Sequence, residues 1–360
     1  MRYGVISDTH CHNWSMFGQV GVNGTNTRLQ IILDEIKRAA EEVKEMGGST
    51  LFHAGDIFHV RGTIAPSVMN PVAETFHEIS EMGITPVLVC GNHDAEFRDS
   101  EELGSAISVL RGVGCLVANV PMIYGNTMLI PWQPNKEKFL EAIKELAPRM
   151  DDCYSIVCHA PLDGVLDQFA SSACIHPDEI KKVAGRRLGR VFAGHIHNHK
   201  CICVNDAFVW SVGAIAHHNW GDIGTKAGFM LVDGEGVVKF RASHAPQFVE
   251  IEKDTTVENA LLMADGNYVR ATVEDMTEAE IKDFRTQLEN AGAKGVTIIC
   301  HAKPQDTAQR MEIKSSESLE SIVSKYSQTK VKEMSEELGR AVLSKVDELM
   351  VGAENEIQVH

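Results

Sequence analysis

What most constrains this chain is a recurrence: short apolar runs that each break at a carboxylate, an amide or a histidine. Residues 2–7 end at Ser7-Asp8-x-His10, and Leu51-Phe52-His53-Ala54 breaks at Gly55-Asp56. Residues 86–90 break at Gly91-Asn92-His93-Asp94, 154–158 end at His159, and 190–193 end at Gly194-His195-x-His197. Apolar runs this short, bounded by such breakers, read as buried strands. Between the first of them, Leu29, Ile32, Leu33, Ile36, Ala40 and Val43 recur at helical spacing over 28–46 until Gly47-Gly48 stops them. A second helix is predicted over Pro66–Met82. Strand, helix, strand, helix, strand is an α/β layered pattern. In such folds ligands gather outside the carboxyl ends of the strands, where all these polar residues fall.

Each break alone is weak, since an isolated Asp-x-His is more often a satisfied polar pair than a site. Together they supply carboxylates, imidazoles and one amide oxygen, a hard-to-borderline donor set suited to Mn²⁺, Fe²⁺ or Zn²⁺. A carboxylate such as Asp56 can bridge two ions, and two ions about 3.5–4 Å apart can clamp a phosphate. The glycines before Asp56, Asn92 and His195 fit tight turns out of their strands. His53, inside an apolar run, reads as structural. His12 and His59 lie near enough in sequence to touch a substrate, His217 and His218 fall in a loop, and His199 reads as exposed.

The formal net charge of −16 excludes whole-protein attraction to nucleic acid, so a polyanionic substrate needs metal ions or a local basic patch. Arg61, Lys136, Lys138, Arg186, Arg187 and Arg190 are candidates for that patch, although Arg186 to Arg190 read equally as a solvated helix end. The nine cysteines form no CxxC pair, and Cys201 and Cys203 are too close for a zinc knuckle. They read as reduced thiols of a cytoplasmic protein. No run approaches the ~20 apolar residues of a membrane span, and Met1 leads almost at once into the first strand, without a leader.

Segments 201–204, 207–213, 227–232, 236–242 and 247–251 are β-rich and predict a second, mostly antiparallel sheet. Beyond them, Tyr268–Val273, a helix opened by a Thr277/Glu280 capping box, and Val296–Cys300 form one small βαβ module. A polar linker over Lys314–Ser318 precedes an apolar stripe from Leu319, Ile322, Val323 and Tyr326 to Val342, Val346 and Leu349. That stripe either packs on the chain's own body or docks on a partner.

The ordered set Asp8-x-His10, Gly55-Asp56, Gly91-Asn92-His93-Asp94, His159 and Gly194-His195-x-His197 resembles the calcineurin-like metallophosphoesterase superfamily over roughly residues 1–250. The resemblance implies a four-layer α/β sandwich, two mixed β-sheets flanked by helices. It also implies two divalent metal ions per chain, Mn²⁺ first and Fe²⁺ or Zn²⁺ as alternatives. Asp8, His10 and His197 would hold one ion, Asn92, His159 and His195 the other, and Asp56 both. His93 would stand beside the substrate phosphate as a catalytic group, with Asp94 orienting it. A non-enzymatic scaffold would be expected to have lost some of these ligands.

Within the superfamily, the phosphate-binding arginine that protein phosphatases place before Gly-Asn-His is replaced by Cys90. Gly55-Asp56-Ile57-Phe58, Ala65-Pro66-Ser67, Trp210–Ala214 and Lys226-Ala227-Gly228-Phe229 are similar to SbcD-type DNA repair nucleases. That likeness implies a nuclease domain over 1–251, a small α+β capping domain over 252–312, and a helical tail over 313–360 that docks on an SbcC-type SMC-like ATPase. DNA would be the substrate, a homodimer is a further expectation, and no membrane is implied. The rival reading is a stand-alone phosphodiesterase acting on small nucleotides. The Gly- and Asn-rich loop 13–27 matches no pattern of that group.

Overall fold

The computed structural model describes residues 1–96, 104–166, 174–204, 207–301, 319–331, 334, 338–346 and 349. Met1–His301 forms one compact unit and Ala302–His360 another. In the first, β1 (Tyr3–Ile6), β2 (Thr50–His53), β3 (Thr85–Val89) and β4 (Leu116–Ala118) run parallel. A second sheet is built around β6 (Thr127–Ile130), β7 (Tyr154–His159), β8 (Leu188–Gly194) and β10 (Ala207–Ser211), also mutually parallel, with β5 (Met122–Tyr124) and β9 (Lys200–Val204) as antiparallel edges. The strands β11 (Gly228–Val232) and β12 (Val238–Ala242) return to the first sheet, whose order is β12-β11-β1-β2-β3-β4. The β-rich segments after residue 200 are therefore shared between sheets and do not form one antiparallel sheet. Periodicity marks a strand but carries nothing about its neighbour.

Three apolar layers hold this arrangement. Helix α1 (Thr27–Glu45) buries Leu29, Ile32, Leu33, Ile36 and Val43 with Phe76 of α2 (Pro66–Glu81) on the outer face of the first sheet. Asn26 caps α1 by accepting the N–H groups of Arg28 and Leu29. Between the sheets lie Val5, Phe52, Val87, Val157 and Phe192, with Tyr3 edge-on to Phe52 at 5.3 Å and to Phe192 at 6.1 Å. Each such side chain contributes roughly 1.5–3 kcal/mol by burial. On the far face α3 (Lys136–Leu146) and α4 (Pro177–Ala184) cover the second sheet through Phe139, Ile143 and Ile180. Helices, sheet, sheet, helices is the four-layer sandwich that the sequence implies.

The small module is larger than one βαβ unit. The strands β13 (Phe248–Ile251), β14 (Tyr268–Glu274) and β15 (Gly295–His301) pair in parallel, linked by α5 (Val257–Ala264) and α6 (Glu278–Asn290) around Ile251, Val269, Ala271 and Leu288. The 247–251 segment thus belongs here and not to the second sheet. The Thr277/Glu280 capping box is present at the start of α6. In the second unit, α7 spans Leu319–Val331, with Tyr326, Met334, Leu338 and Leu349 exposed. The linker at 314–318 and the 302–312 end of the capping segment lie outside the described residues.

Candidate metal centre

All the strand ends that break at polar residues open onto one cleft. Asp8 and His10 follow β1, Asp56 follows β2, Asn92 to Asp94 follow β3, His159 closes β7, and His195 and His197 follow β8. The backbone there is contorted: Asp8 (φ 48°), His10 (φ 42°), Asp56 (φ 58°) and His195 (φ 96°) all have positive φ. Left-handed backbone costs an L-residue roughly 1–2 kcal/mol, so four strained residues in one cleft mark a functional constraint. The preceding glycines serve crowding more than turning. A Cβ on Gly91 would lie 2.2 Å from the Asp56 nitrogen and Oδ1, and one on Gly194 2.1 Å from Ser7 Oγ. Only Gly55 of the three, at φ 99°, needs the left-handed region.

The side chains converge in two groups. His197 Nε2 lies 3.2 Å from His10 Nε2, and the donor atoms of Asp8, His10 and His197 cluster within 4.8 Å. Asp56, His159 and His195 form a second cluster. Asn92 Oδ1 joins it at 3.0 Å from His159 Nε2 and 3.0 Å from His195 Nδ1. Asp56 Oδ2 sits between the groups, 3.4 Å from His159 Nε2 and 3.7 Å from His10 Nε2. Its Oδ1 accepts the His93 N–H at 2.8 Å. The groups are stitched together by the His195 N–H, 3.0 Å from both Asp8 oxygens.

The hydrogen bonds behind the cluster assign its lone pairs. His159 Nδ1–H donates to the Ala54 carbonyl (2.8 Å), and His197 Nδ1–H donates to Asp222 Oδ1 (2.8 Å). Their Nε2 atoms therefore turn bare lone pairs toward other acceptors, an arrangement that needs a proton or a cation between them. Ligands about 2.1 Å from one ion lie roughly 3.0–3.4 Å apart, close to the 3.0–3.7 Å separations of these atoms. The donor set thus fits divalent metal in both groups.

Electrostatics agree. Burial pushes Asp56 up, but His159 outweighs it and holds the carboxyl well below its usual range. Burial likewise lowers His159, yet Asp56 overrides it and raises the imidazole to about 9, so without metal a proton takes the cation's place. Asp8 is raised, chiefly by burial, and burial drives His10 well down.

Two expectations about neighbouring residues need correction. Asp94 does not orient the His93 ring. Its buried carboxylate accepts the N–H groups of Asp56 (3.0 Å), Gly91 (2.9 Å) and Phe58 (3.0 Å), locking two ligand loops together. The His93 ring is oriented instead by donating Nδ1–H to the His59 carbonyl at 2.6 Å. His199 is half-buried and stacks on Phe240 at 4.0 Å. Of the basic candidates, Arg187 and Arg190 spend N–H groups on the carbonyls of Ala147, Met150 and Gly236, and Lys136 pairs with Glu179. Arg61 is held at the cleft by donating Nε–H to the Asn92 carbonyl (2.8 Å). His53 is structural, sharing a hydrogen bond with Thr9 Oγ1 (3.0 Å).

Sequence reasoning missed Asp222, Trp14 and His218. Asp222 is buried and held below its usual range because the His197 hydrogen bond outweighs burial. His218 donates Nε2–H to the Asp8 carbonyl at 2.8 Å and stacks on Trp14 at 5.5 Å. Neither carries a sequence signal beyond its residue type.

Exonuclease subunit 1 of Enterobacteria phage T4 is 26% identical over 223 residues, covering 57% of this chain and 59% of the phage protein, less than two thirds of its length. A dimetal phosphatase from Danio rerio aligns at 12% identity with a TM-score of 0.46, over 67% of this chain and 96% of that one. An archaeal phosphodiesterase aligns at 15% identity with a TM-score of 0.35, over 67% and 99%. The calcineurin-like phosphoesterase family matches residues 1–199, the stretch that runs from Asp8 through His197. By that match, over more than half its length and through every predicted ligand, the chain belongs to the calcineurin-like phosphoesterase family.

Proposed function

We propose that this protein is a binuclear metal-dependent phosphodiesterase that hydrolyses DNA. The observation that carries the chemistry is Asp56 Oδ2, set between an Asp8–His10–His197 group and an Asn92–His159–His195 group whose lone pairs converge. Each group would hold one divalent ion, Mn²⁺ first, with Asp56 shared. When bound, the ions supply charge neutralisation on phosphoryl oxygens and an acidified water. The chain's own residues do the rest. His93, half-buried at the mouth, has Nδ1 committed to the His59 carbonyl, so Nε2 is its free edge toward a substrate. As an imidazolium it delivers a proton there to the departing sugar oxygen. Asp94 acts as a positioning residue through the loops it ties. Arg61, exposed and fixed by one N–H, offers its remaining donors to a neighbouring phosphate.

DNA is favoured by the likeness to a phage protein named as an exonuclease subunit. The word subunit in that name also suits a partner, here an SbcC-type SMC-like ATPase. Tyr326, Met334, Leu338 and Leu349 of the tail are exposed, and exposed apolar side chains are what such docking needs. On this reading the nuclease domain expected over 1–251 ends before Phe248, the capping module runs from its first strand Phe248–Ile251 to 312, and 313–360 is the docking segment. No helix among the described residues is long and apolar enough to cross a membrane; the cytoplasmic location follows only from the reading as a DNA repair nuclease.

The test incubates the protein and Mn²⁺ with linear double-stranded DNA, cyclic nucleotides and a chromogenic phosphodiester, with and without an SbcC-type ATPase. DNA degradation, enhanced by the ATPase, is expected. Hydrolysis of small diesters but never of DNA would establish the small-nucleotide alternative, which the net charge of −16 favours.

A further inference from the structure

Arg28, on the first turn of α1, is 4% exposed and makes no ion pair among the described residues. Burying an unpaired cation is costly unless its donors are used. Here the guanidinium donates to three backbone carbonyls: Met16 (3.1 Å), His217 (3.3 Å) and His218 (2.8 Å). It also lies against three rings, Trp14 (4.9 Å), Phe248 (5.1 Å) and Tyr268 (5.3 Å). Cation–π contacts gain strength as the cation is desolvated.

These partners come from two places. Phe248 and Tyr268 begin β13 and β14 of the small module. The carbonyls belong to the loops that flank one half of the metal centre. His218 bonds the Asp8 carbonyl and packs on His10 (5.1 Å) and His197 (5.3 Å). The His218 N–H binds Asp222 Oδ2 (2.7 Å), and Asp222 Oδ1 orients His197. Every member of the Asp8–His10–His197 group thus touches the loop that Arg28 pins. Loop 13–27 adds a second tie: Phe17 stacks on Tyr268 at 5.1 Å and lies where Gly295 leaves no Cβ in its way. The Asn92–His159–His195 group is held chiefly by other contacts, the Ala54 carbonyl, its own mutual bonds and Trp132, which packs on His159 (6.0 Å) and His195 (5.1 Å); its direct tie to the first group is the His195 N–H on Asp8.

We propose that Arg28 is a positioning residue that couples the small three-stranded module to the Asp8–His10–His197 half of the metal centre; the other half is in contact with that coupling through Asp56 and the His195 N–H, and the pinned loop is not among its own supports. A displacement of Phe248 and Tyr268 then loosens one ion and spares its neighbour. The inference rests on the two-ion reading given above.

Calorimetric titration of the full-length, metal-stripped protein with Mn²⁺ tests both. Wild type is expected to take up two equivalents. Arg28→Lys keeps the charge but loses the fork, and Tyr268→Ala removes one wall of the cage and the Phe17 stack while leaving the three carbonyl acceptors in place. Each is expected to keep one site at wild-type affinity and weaken the other at least tenfold. Adding His159→Ala to either should abolish the surviving tight site, and adding His197→Ala should not. Equal weakening of both sites, weakening of neither, a surviving site that depends on His197, or an effect of Arg28→Lys without one of Tyr268→Ala would each overturn the coupling. A wild-type protein that takes up no Mn²⁺ would remove the two-ion reading itself, and this inference with it.

Discussion

Replacing Asp222 by Asn keeps the side chain's shape and changes which nitrogen of His197 carries the proton. Asp222 Oδ2 accepts two backbone N–H groups, from His218 at 2.7 Å and Asn219 at 3.2 Å. Turning an amide NH₂ toward them would leave two donors unpaired at roughly 1–3 kcal/mol each, so the Asn oxygen must stay on that side. Its NH₂ then faces His197 Nδ1, which in wild type donates to Asp222 Oδ1 at 2.8 Å. Two donors cannot share that bond, and the imidazole proton moves to Nε2. That is the atom 3.2 Å from His10 Nε2, whose lone pair the metal would need. Loss of such an outer partner costs about tenfold to hundredfold in metal affinity, or ~1.4–2.7 kcal/mol. In Mn²⁺ calorimetry Asp222→Asn should therefore weaken one of two sites by that factor, with unfolding in urea changed little. Nitrogen-15 spectra of the ring should show the proton on Nε2. A variant with two wild-type dissociation constants, or with the proton still on Nδ1, would refute the reasoning.

His93→Ala should lower phosphodiester cleavage by about 10²–10⁴-fold while calorimetry still counts two ions, and loss of both ions would deny His93 its role as an actor outside the ligand set. Gly91→Ala drives a Cβ to 2.2 Å from the Asp56 nitrogen and carboxylate, so it should lower the thermal midpoint and abolish uptake at the shared ligand; normal binding would show the loops to be slack. In metal-stripped protein the raised His159 contributes stability that is complete below its unfolded value of about 6.5 and is lost as pH climbs through about 9. The stripped midpoint should thus fall from pH 6.5 to 9, and Mn²⁺, by displacing that proton, should flatten the trend; a flat profile without metal would count against the His159–Asp56 pair.

How far the site was legible depends on what each residue answers to. Asp8, His10, Asp56, Asn92, His159, His195 and His197 stand directly after apolar runs, and a strand's carboxyl end is a place that sequence can mark. His218 reaches the Asp8 carbonyl across 210 residues and Asp222 reaches His197 across 25, and no local pattern encodes such contacts. The two sheets were mixed for the same reason, because alternation shows that residues 227–232 form a strand but not that it pairs with β1. Some misses were local. The strands β4 and β5 have three residues each, too few for a period to appear. Helix α4 is opened by a capping box whose N-cap is His176, where the usual rule looks for Ser, Thr, Asp or Asn. Helix α5 did carry the ordinary signal, with Thr256 accepting the Asn259 N–H.

The metal site breaks local rules that the rest of the fold obeys. Asp8, His10, Asp56 and His195 hold left-handed backbone without being glycine, and Asp8, Asp56 and Asp94 put three carboxylates in a nearly dry cleft. Neither feature stabilises the chain by itself. Strain at roughly 1–2 kcal/mol per residue and burial that pushes Asp8 and Asp94 upward both oppose folding. They persist because β1, β2, β3, β7 and β8 are anchored by apolar layers on both faces of each sheet, which fixes where their carboxyl ends can go. Asp94 shows how the loops are then held: one buried carboxylate takes three N–H groups that would otherwise be unpaired. The result is a set of lone pairs that the fold forces together and that only positive charge relaxes. A proton on His159 does so in part, and divalent metal in both groups does so fully, so metal binding and final ordering of the cleft should be one process.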